Sequence, residues 1–230
     1  MPKPLKRIVI HQPDFLPYIG FFDRLKLADQ FVILDHVQLS KSGFTHRDKI
    51  LTSNGVEWLT VPVVGINKKP LIKDALIAHG KDFDKLIRRI YTAYRQSPNF
   101  PRVFPMLEGV LCRKPKKLID LNLSFIEEIL QYLNIDIPIL FSSSLNLTST
   151  RSEMNAEITQ LCGGNVYISG MGAKDYHIDQ PFWERNLRVE WRSFDAYSYH
   201  QLGQAFEPNL SIIDYLMNVD RSKILETLGN

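Results

Sequence analysis

The opening of the chain predicts two parallel strands joined by a loop and a helix. Residues 7–10 (Arg-Ile-Val-Ile) and residues 31–34 (Phe-Val-Ile-Leu) are short apolar runs, rich in the β-branched and aromatic side chains that favour buried strands. Between these runs, Phe21, Phe22 and Leu25 have the spacing of a short helix. A strand, a helix and a second strand so close together predict a right-handed crossover, the unit from which parallel α/β sheets are built.

The remainder of the chain extends this pattern. Further short apolar strands are predicted at 138–141, 166–168 and 187–191, and the turn signal Asn54-Gly55 before a strand at 57–63 favours a hairpin. Helical spacing dominates residues 80–135, and Thr150 and Glu153 have capping-box spacing at the start of a later helix. The predicted fold is a single α/β domain over residues 1–230, with a mostly parallel sheet, flanking helices and a helical insert at about 80–135.

Composition excludes several classes of protein. The formal net charge of +3 is too small for a nucleic-acid-binding surface, so no nucleic-acid partner is expected. No window has the length of a membrane span and no signal peptide precedes the first strand, so we expect a cytoplasmic protein. Two distant cysteines form no disulfide framework, and the six histidines lack metal-ligand spacing. No metal ligand is therefore assigned, and the sequence identifies no cofactor.

Polar loops follow four of the predicted strands. If the strands are parallel, these loops meet at one edge of the sheet, where open α/β proteins bind their ligands. A plain turn does not need histidine, carboxylate, amide and lysine side chains at every strand end. The four loops contain His11-Gln12, residues 35–49, Ser142-Ser143-Ser144, and residues 169–174. The convergence predicts a small-molecule site, although each loop alone is equally consistent with capping or solvent exposure.

Within these loops, His11 is the candidate general acid or base, because its unperturbed pKa lies near working pH. Asp35 ends the second strand and is a candidate to orient His11 or a substrate amine. The alternatives are a histidine tied to a backbone carbonyl and an aspartate that caps a turn. Gln12 and Gln38 are candidate binding residues, since an amide both donates and accepts hydrogen bonds.

The remaining candidates suit an anion. Arg47 can hold a phosphate or carboxylate with two hydrogen bonds, and backbone N–H groups around Ser169-Gly170 can turn toward negative charge. The alternatives are a solvated loop for the segment around Arg47 and a tight turn for Ser169-Gly170. The full set of candidate anion-binding residues is Lys41, His46, Arg47, Lys49, Ser169, Gly170 and Lys174.

A combination of motifs along nearly the whole chain resembles the WbqC-like family. It consists of His11-Gln12-Pro13, Tyr18, Gly20-Phe21-Phe22, Ala28-Asp29, Asp35-His36-Val37-Gln38, Arg47, Lys49-Ile50, residues 58–62, residues 167–170, Tyr199-His200-Gln201 and residues 206–214. The resemblance adds Tyr18 and Gln201 to the candidate binding residues. The sequence departs from the expected pattern at Asp48, where an asparagine is expected, so no amide contact is assigned there.

The resemblance implies a role around bacterial surface-polysaccharide or natural-product biosynthesis, with acyl or aminoacyl transfer to an amine such as an amino sugar. In that hypothesis His11 takes the proton of the attacking amine, and the basic loop holds the phosphate of a nucleotide-sugar or of a carrier-bound acyl group. Two alternatives stay open. One is a nucleotide-dependent ligase or nucleotidyltransferase using the same pocket, and the other is a non-catalytic binding protein.

Overall fold

The structure, a computed structural model, describes residues 4–194, 198–203 and 205–229. Seven strands lie in these ranges: β1 (Arg7–His11), β2 (Gln30–Ile33), β3 (Arg47–Thr52), β4 (Gly55–Thr60), β5 (Ile139–Phe141), β6 (Val166–Gly170) and β7 (Arg188–Arg192). The α-helices are α1 (Ile19–Leu27), α2 (Lys81–Tyr94), α3 (Phe100–Cys112), α4 (Leu118–Tyr132), α5 (Arg151–Leu161), α6 (Gln180–Glu184), α7 (Ile212–Asn218) and α8 (Arg221–Thr227).

Five strands form a parallel sheet in the order β5-β2-β1-β6-β7. The predicted α/β fold with a mostly parallel sheet is confirmed. Counted along the chain within this sheet, the order is 3-2-1-4-5, which is the order of doubly wound nucleotide-binding folds. The direction of winding reverses between β1 and β6, so the carboxyl ends of these two strands flank the crevice where such folds bind ligands. The predicted hairpin also forms, from β3 and β4.

Alternation of side chains along the strands divides the core into two layers. Ile8 and Ile10 of β1 pack against α5 and α6, whereas Val9 points to the opposite layer with α1 and the middle helices. β2 repeats this arrangement, with Val32 on one face and Phe31 on the other. Because both faces are covered, the strands read as continuous apolar runs rather than as alternating ones.

The helical middle segment α2–α4 follows the hairpin and shares the hydrophobic core of α1. Helix α3 begins at Phe100, and Pro101 lies in its first turn, where a missing N–H costs no hydrogen bond. The predicted capping box at Thr150 is wrong. Helix α5 follows Thr150, but the threonine side chain makes no capping bond to the described residues of this helix, and Glu153 pairs with Arg185 instead.

Candidate functional site

His11 ends β1 and stands at the mouth of the crevice. Its Nδ1 lies 3.0 Å from the Gln12 carbonyl oxygen and 3.6 Å from Asp14 Oδ2. Because a carbonyl only accepts, Nδ1 carries the proton of the neutral ring, and Nε2 is left as an acceptor with no partner among the described residues. The side chain is 36% exposed, and its burial against the loop lowers the pKa of His11 below 6.5. The ring is therefore a neutral base at pH 7.

Asp14 and Gln12 are held by the segment that leads into the hairpin. The Thr45 hydroxyl lies 2.8 Å from Gln12 Oε1 and 3.1 Å from Asp14 Oδ1. Burial raises the pKa of the Asp14 carboxyl. The His11 ring and the Thr45 hydroxyl have the opposite, smaller effect on this pKa. The carboxylate beside His11 is thus that of Asp14, which sequence reasoning did not select.

One buried amide ties the two loops together. Asn122 of α4 donates from Nδ2 to the carbonyl oxygens of Pro13 and Thr45, each at 2.7 Å. Neither loop has regular structure at these points, so the amide supplies hydrogen bonds that a strand or helix would otherwise provide. This contact joins the two loops beside His11 to the helical middle segment.

Two more titratable groups of the hairpin are buried beside this loop. Asp48 is 3% exposed and accepts a hydrogen bond from the Lys49 backbone N–H at 2.7 Å. Burial, together with the nearby Asp14 charge, raises the pKa of Asp48 to about 8. The predicted binding residue His46 is also buried, and its Nδ1 has no hydrogen-bond partner in the described part of the chain. Burial and the Arg47 charge lower the pKa of His46. At neutral pH, Asp48 is mostly protonated and His46 mostly neutral.

A buried arginine lies at the same edge of the sheet. Arg24 of α1 is 3% exposed and donates from Nη1 to the Tyr18 hydroxyl at 3.2 Å. A β-carbon on Gly170 would lie 2.8 Å from Arg24 Nη1, and one on Gly20 would lie 2.4 Å from the Tyr18 ring. The two glycines therefore make room for these two side chains. The structure brings the predicted residues His11, Gln12, Tyr18 and Gly170 together, and it adds Arg24.

Asp35 is placed differently from the sequence hypothesis. Its carboxylate accepts hydrogen bonds from the Ser142 hydroxyl at 3.0 Å and from the backbone N–H and hydroxyl of Ser143 at 2.8 and 2.5 Å. No contact joins it to the His11 ring among the described residues. Asp35 therefore holds the turn after β5 against the end of β2, which is the capping alternative.

The cations of the hairpin and of the loop before it form a separate group. The Arg47 guanidinium stacks 4.1 Å from the Trp58 ring centre, and Lys49 Nζ lies 5.5 Å from it. Arg47 also donates to the Ser42 carbonyl oxygen at 2.9 Å. Lys41 and Gln38 are exposed, and neither side chain forms a hydrogen bond with another residue that the structure describes. These four residues do not join the His11 cluster through any hydrogen bond or ion pair of the described residues.

The last three predicted residues are dispersed. Ser169 is buried in β6, and Lys174 is exposed in the turn beyond it. Gln201 is buried, and its Nε2 lies 2.9 Å from Asp214 Oδ1 and 3.0 Å from both the Tyr199 hydroxyl and the Glu207 carbonyl oxygen. Its Oε1 accepts from the Glu207 N–H at 2.8 Å, so both ends of the amide are already used within the fold.

Sequence reasoning missed Asp14, Arg24, Thr45 and Asn122 as members of the site. Asp14 had a usable signal, because it follows His11 by three residues within one loop. Arg24 had a weaker signal, since it lies among the apolar residues of a short helix whose buried residues include Phe21, Phe22 and Leu25. The described residues contain no group of three or more metal-ligating side chains that could hold a metal ion.

The fold and the site define an open, parallel α/β protein with a histidine, a carboxylate and a buried arginine at its topological switch point. Comparison with protein families matches residues 12–226 to the WbqC-like protein family. The chain therefore belongs to the WbqC-like family, and its sequence resemblance to that family is confirmed. This membership is consistent with a protein related to polysaccharide biosynthesis.

A curated relative agrees with this assignment. The uncharacterized protein Rv1507c of Mycobacterium tuberculosis is 32% identical over 219 residues, which cover 94% of each chain. No solved structure matches this chain. In the part of the chain that the structure describes, no helix combines the length and apolar character needed to cross a membrane.

Proposed function

We propose that this protein is a transferase that forms an amide, by acyl or aminoacyl transfer to an amino sugar or a similar amine in bacterial surface-polysaccharide or natural-product biosynthesis. The observation that carries the proposal is the state of His11. Its Nδ1 is committed to the Gln12 carbonyl, which leaves Nε2 of a neutral ring free to accept a proton. Such a base at the carboxyl end of β1 suits deprotonation of an attacking amine.

The proton balance of the reaction follows from this arrangement. As the nitrogen–carbon bond forms, Nε2 takes a proton from the amine, and the Asp14 carboxylate at 3.6 Å stabilises the resulting imidazolium. When the bond to the leaving group breaks, the imidazolium returns that proton to the departing thiolate or phosphate oxygen. Asp14 therefore takes the orienting role first considered for Asp35, whose carboxylate is engaged by Ser142 and Ser143.

A second candidate function is a nucleotide-dependent ligase or nucleotidyltransferase. It is favoured by the 3-2-1-4-5 sheet order and by the buried Arg24 at the switch point, where open α/β sheets bind nucleotides. Stabilisation by ATP or release of pyrophosphate would support it over amide transfer from a thioester.

A non-catalytic binding protein is less well supported, because it does not require the shifted pKa values of His11, Asp14 and Asp48.

Replacing His11 with alanine is expected to lower turnover about 10²–10⁴-fold, the range typical of a lost general base. The melting temperature should change little, because the ring is partly exposed and makes one hydrogen bond. The measurement is amide formation across a panel of amino sugars with acyl-thioester and nucleotide-activated donors, with circular dichroism as a check on folding. In the wild type, the acidic limb of the rate profile is expected below pH 6.5, since the pKa of His11 is lowered.

A matched control is His79→Ala, which removes an exposed histidine bonded to the Pro115 carbonyl on another part of the surface. It should keep wild-type turnover. Unchanged turnover in His11→Ala would contradict the proposed base. His11→Gln fills the same space in the loop but supplies no base. A full loss of turnover in this variant as well would show that the effect comes from the missing base and not from a cavity.

A further inference from the structure

Arg24 is a buried cation that forms no ion pair within the described residues, and the nearest carboxylate known to interact with its charge is that of Asp14. Its one side-chain hydrogen bond within the described residues goes to the neutral Tyr18 hydroxyl, and no ion pair joins it to a carboxylate there. The adjacent Asp23 is by contrast fully paired, with Arg192 at 2.7 Å and the Gly229 N–H at 2.9 Å. An unpaired buried charge is costly, so a chain retains one where a ligand completes the pairing.

The surroundings of Arg24 are built to hold it in place. Gly170 leaves room for the guanidinium, and Gly20 leaves room for the Tyr18 ring that meets it. The Tyr18 oxygen accepts from Arg24, so its own proton is free to donate, and no described residue accepts it. The guanidinium and this hydroxyl offer hydrogen-bond donors and positive charge, which match a ligand that has several anionic oxygens.

We infer that Arg24, Tyr18 and Gly170 form a binding site for a phosphoryl group of the substrate, at the switch point between β1 and β6. This inference rests on the proposed function, because it places the phosphate of the activated donor beside the base. The phosphate belongs to a nucleotide-sugar or to a phosphopantetheine carrier arm, and both present the same chemistry to a guanidinium fork. The basic loop of Lys41, Arg47 and Lys49 is then not the phosphate site.

The test measures thermal stabilisation by pyrophosphate and by inorganic phosphate, against chloride at equal ionic strength so that screening is constant. The wild type should be stabilised by millimolar pyrophosphate. Arg24→Gln should weaken this binding at least about a hundredfold, and Tyr18→Phe about tenfold, as expected for lost hydrogen bonds to a charged group. Tyr18→Phe keeps the ring packing, so it remains informative if Arg24→Gln folds poorly.

Two arginine variants serve as controls of equal charge. Arg88→Gln removes an exposed arginine of α2, and Arg47→Gln removes the arginine stacked on Trp58. Both should bind pyrophosphate like the wild type. Loss of binding in Arg47→Gln with binding kept in Arg24→Gln would overturn the inference, as would absence of stabilisation by any phosphate compound in the wild type.

Further arms identify the source of the phosphate and separate this inference from the proposed function. Stronger stabilisation by ADP or UDP than by phosphopantetheine would indicate a nucleotide, and the reverse would indicate a carrier arm, with pantetheine lacking its phosphate as the blank. His11→Ala should lose turnover and still be stabilised by pyrophosphate. If His11→Ala remains active while Arg24 governs phosphate binding, the phosphate site stands and the proposed base fails.

Discussion

Replacing Asp48 with asparagine is expected to stabilise the folded protein at alkaline pH and to leave its stability near pH 4 almost unchanged. Asp48 is buried, and its Oδ1 accepts the Lys49 N–H, a bond that an asparagine oxygen can keep. Burial is the main reason that the pKa of this carboxyl rises to about 8, and the neighbouring Asp14 charge adds to it. The protein therefore folds most readily with Asp48 protonated, and a protonated carboxyl resembles an amide in having one carbonyl oxygen that accepts and a neighbouring group that donates.

The sign of the effect follows from proton linkage. Between about pH 4 and pH 8 the folded carboxyl keeps a proton that the unfolded chain has released, so stability falls as the pH rises through this interval. Above about pH 8 both states are ionised and the full penalty applies. At about 1.4 kcal/mol per pKa unit, the penalty is at most about 6 kcal/mol, and Asp48→Asn removes it.

The measurement is the free energy of unfolding in urea at about pH 4, 6 and 9 for the wild type and Asp48→Asn. The advantage of the variant should grow steadily across this series. Asp175→Asn removes an exposed carboxyl and controls for the change in net charge. A constant difference between wild type and Asp48→Asn at every pH would show that Asp48 is ionised in the folded protein.

The parallel sheet was predictable because its information is local. Ile8, Val9 and Ile10 favour a strand that is buried on both faces of a sheet. The short helix that follows connects this strand to the next parallel strand by a crossover. The same rule placed His11 and Gly170 at one edge, since strand direction alone decides which ends meet. Chain order along the sheet then put the switch point between β1 and β6.

The partners within the site were not predictable in the same way. Strand-end reasoning places Asp35 at the correct edge, but it does not reveal that Ser142 and Ser143 offer three donors to its carboxylate from more than a hundred residues away. Gln201 likewise reaches Asp214 through a network that depends on how the C-terminal segment packs. Tertiary contacts decide which donors bind each of these carboxylates, and the periodicity of the sequence does not encode those contacts.

Arg24 and Asn122 were missed for a related reason. A charged or amide residue on an amphipathic helix is ordinarily assigned to the solvent face, because isolated burial of a polar group is unfavourable. Both side chains are buried here because each meets a specific need: Arg24 provides positive charge at the crevice, and Asn122 supplies donors to two irregular loops. Buried polar residues that break the amphipathic pattern of a helix are therefore the residues to examine first for a site of this kind.

Asn122→Ala is expected to destabilise the protein by about 2–6 kcal/mol, because it leaves the buried carbonyl oxygens of Pro13 and Thr45 without their donor, at about 1–3 kcal/mol for each. Unfolding in urea measures this loss. The matched control is Asn146→Ala, in which an exposed asparagine is truncated to the same size at an expected cost below about 0.5 kcal/mol.

The same variant also tests whether the helical middle segment sets the chemistry of His11. Pro13 lies two residues beyond the histidine and Thr45 contacts Asp14, so release of both loops should let water reach the ring. Since burial is the main cause that lowers the pKa of His11, its titration, followed by NMR of the imidazole, should move up toward 6.5 in Asn122→Ala. A stability loss with an unmoved histidine titration would mean that Asn122 supports the fold alone, and that the base is positioned by its own loop.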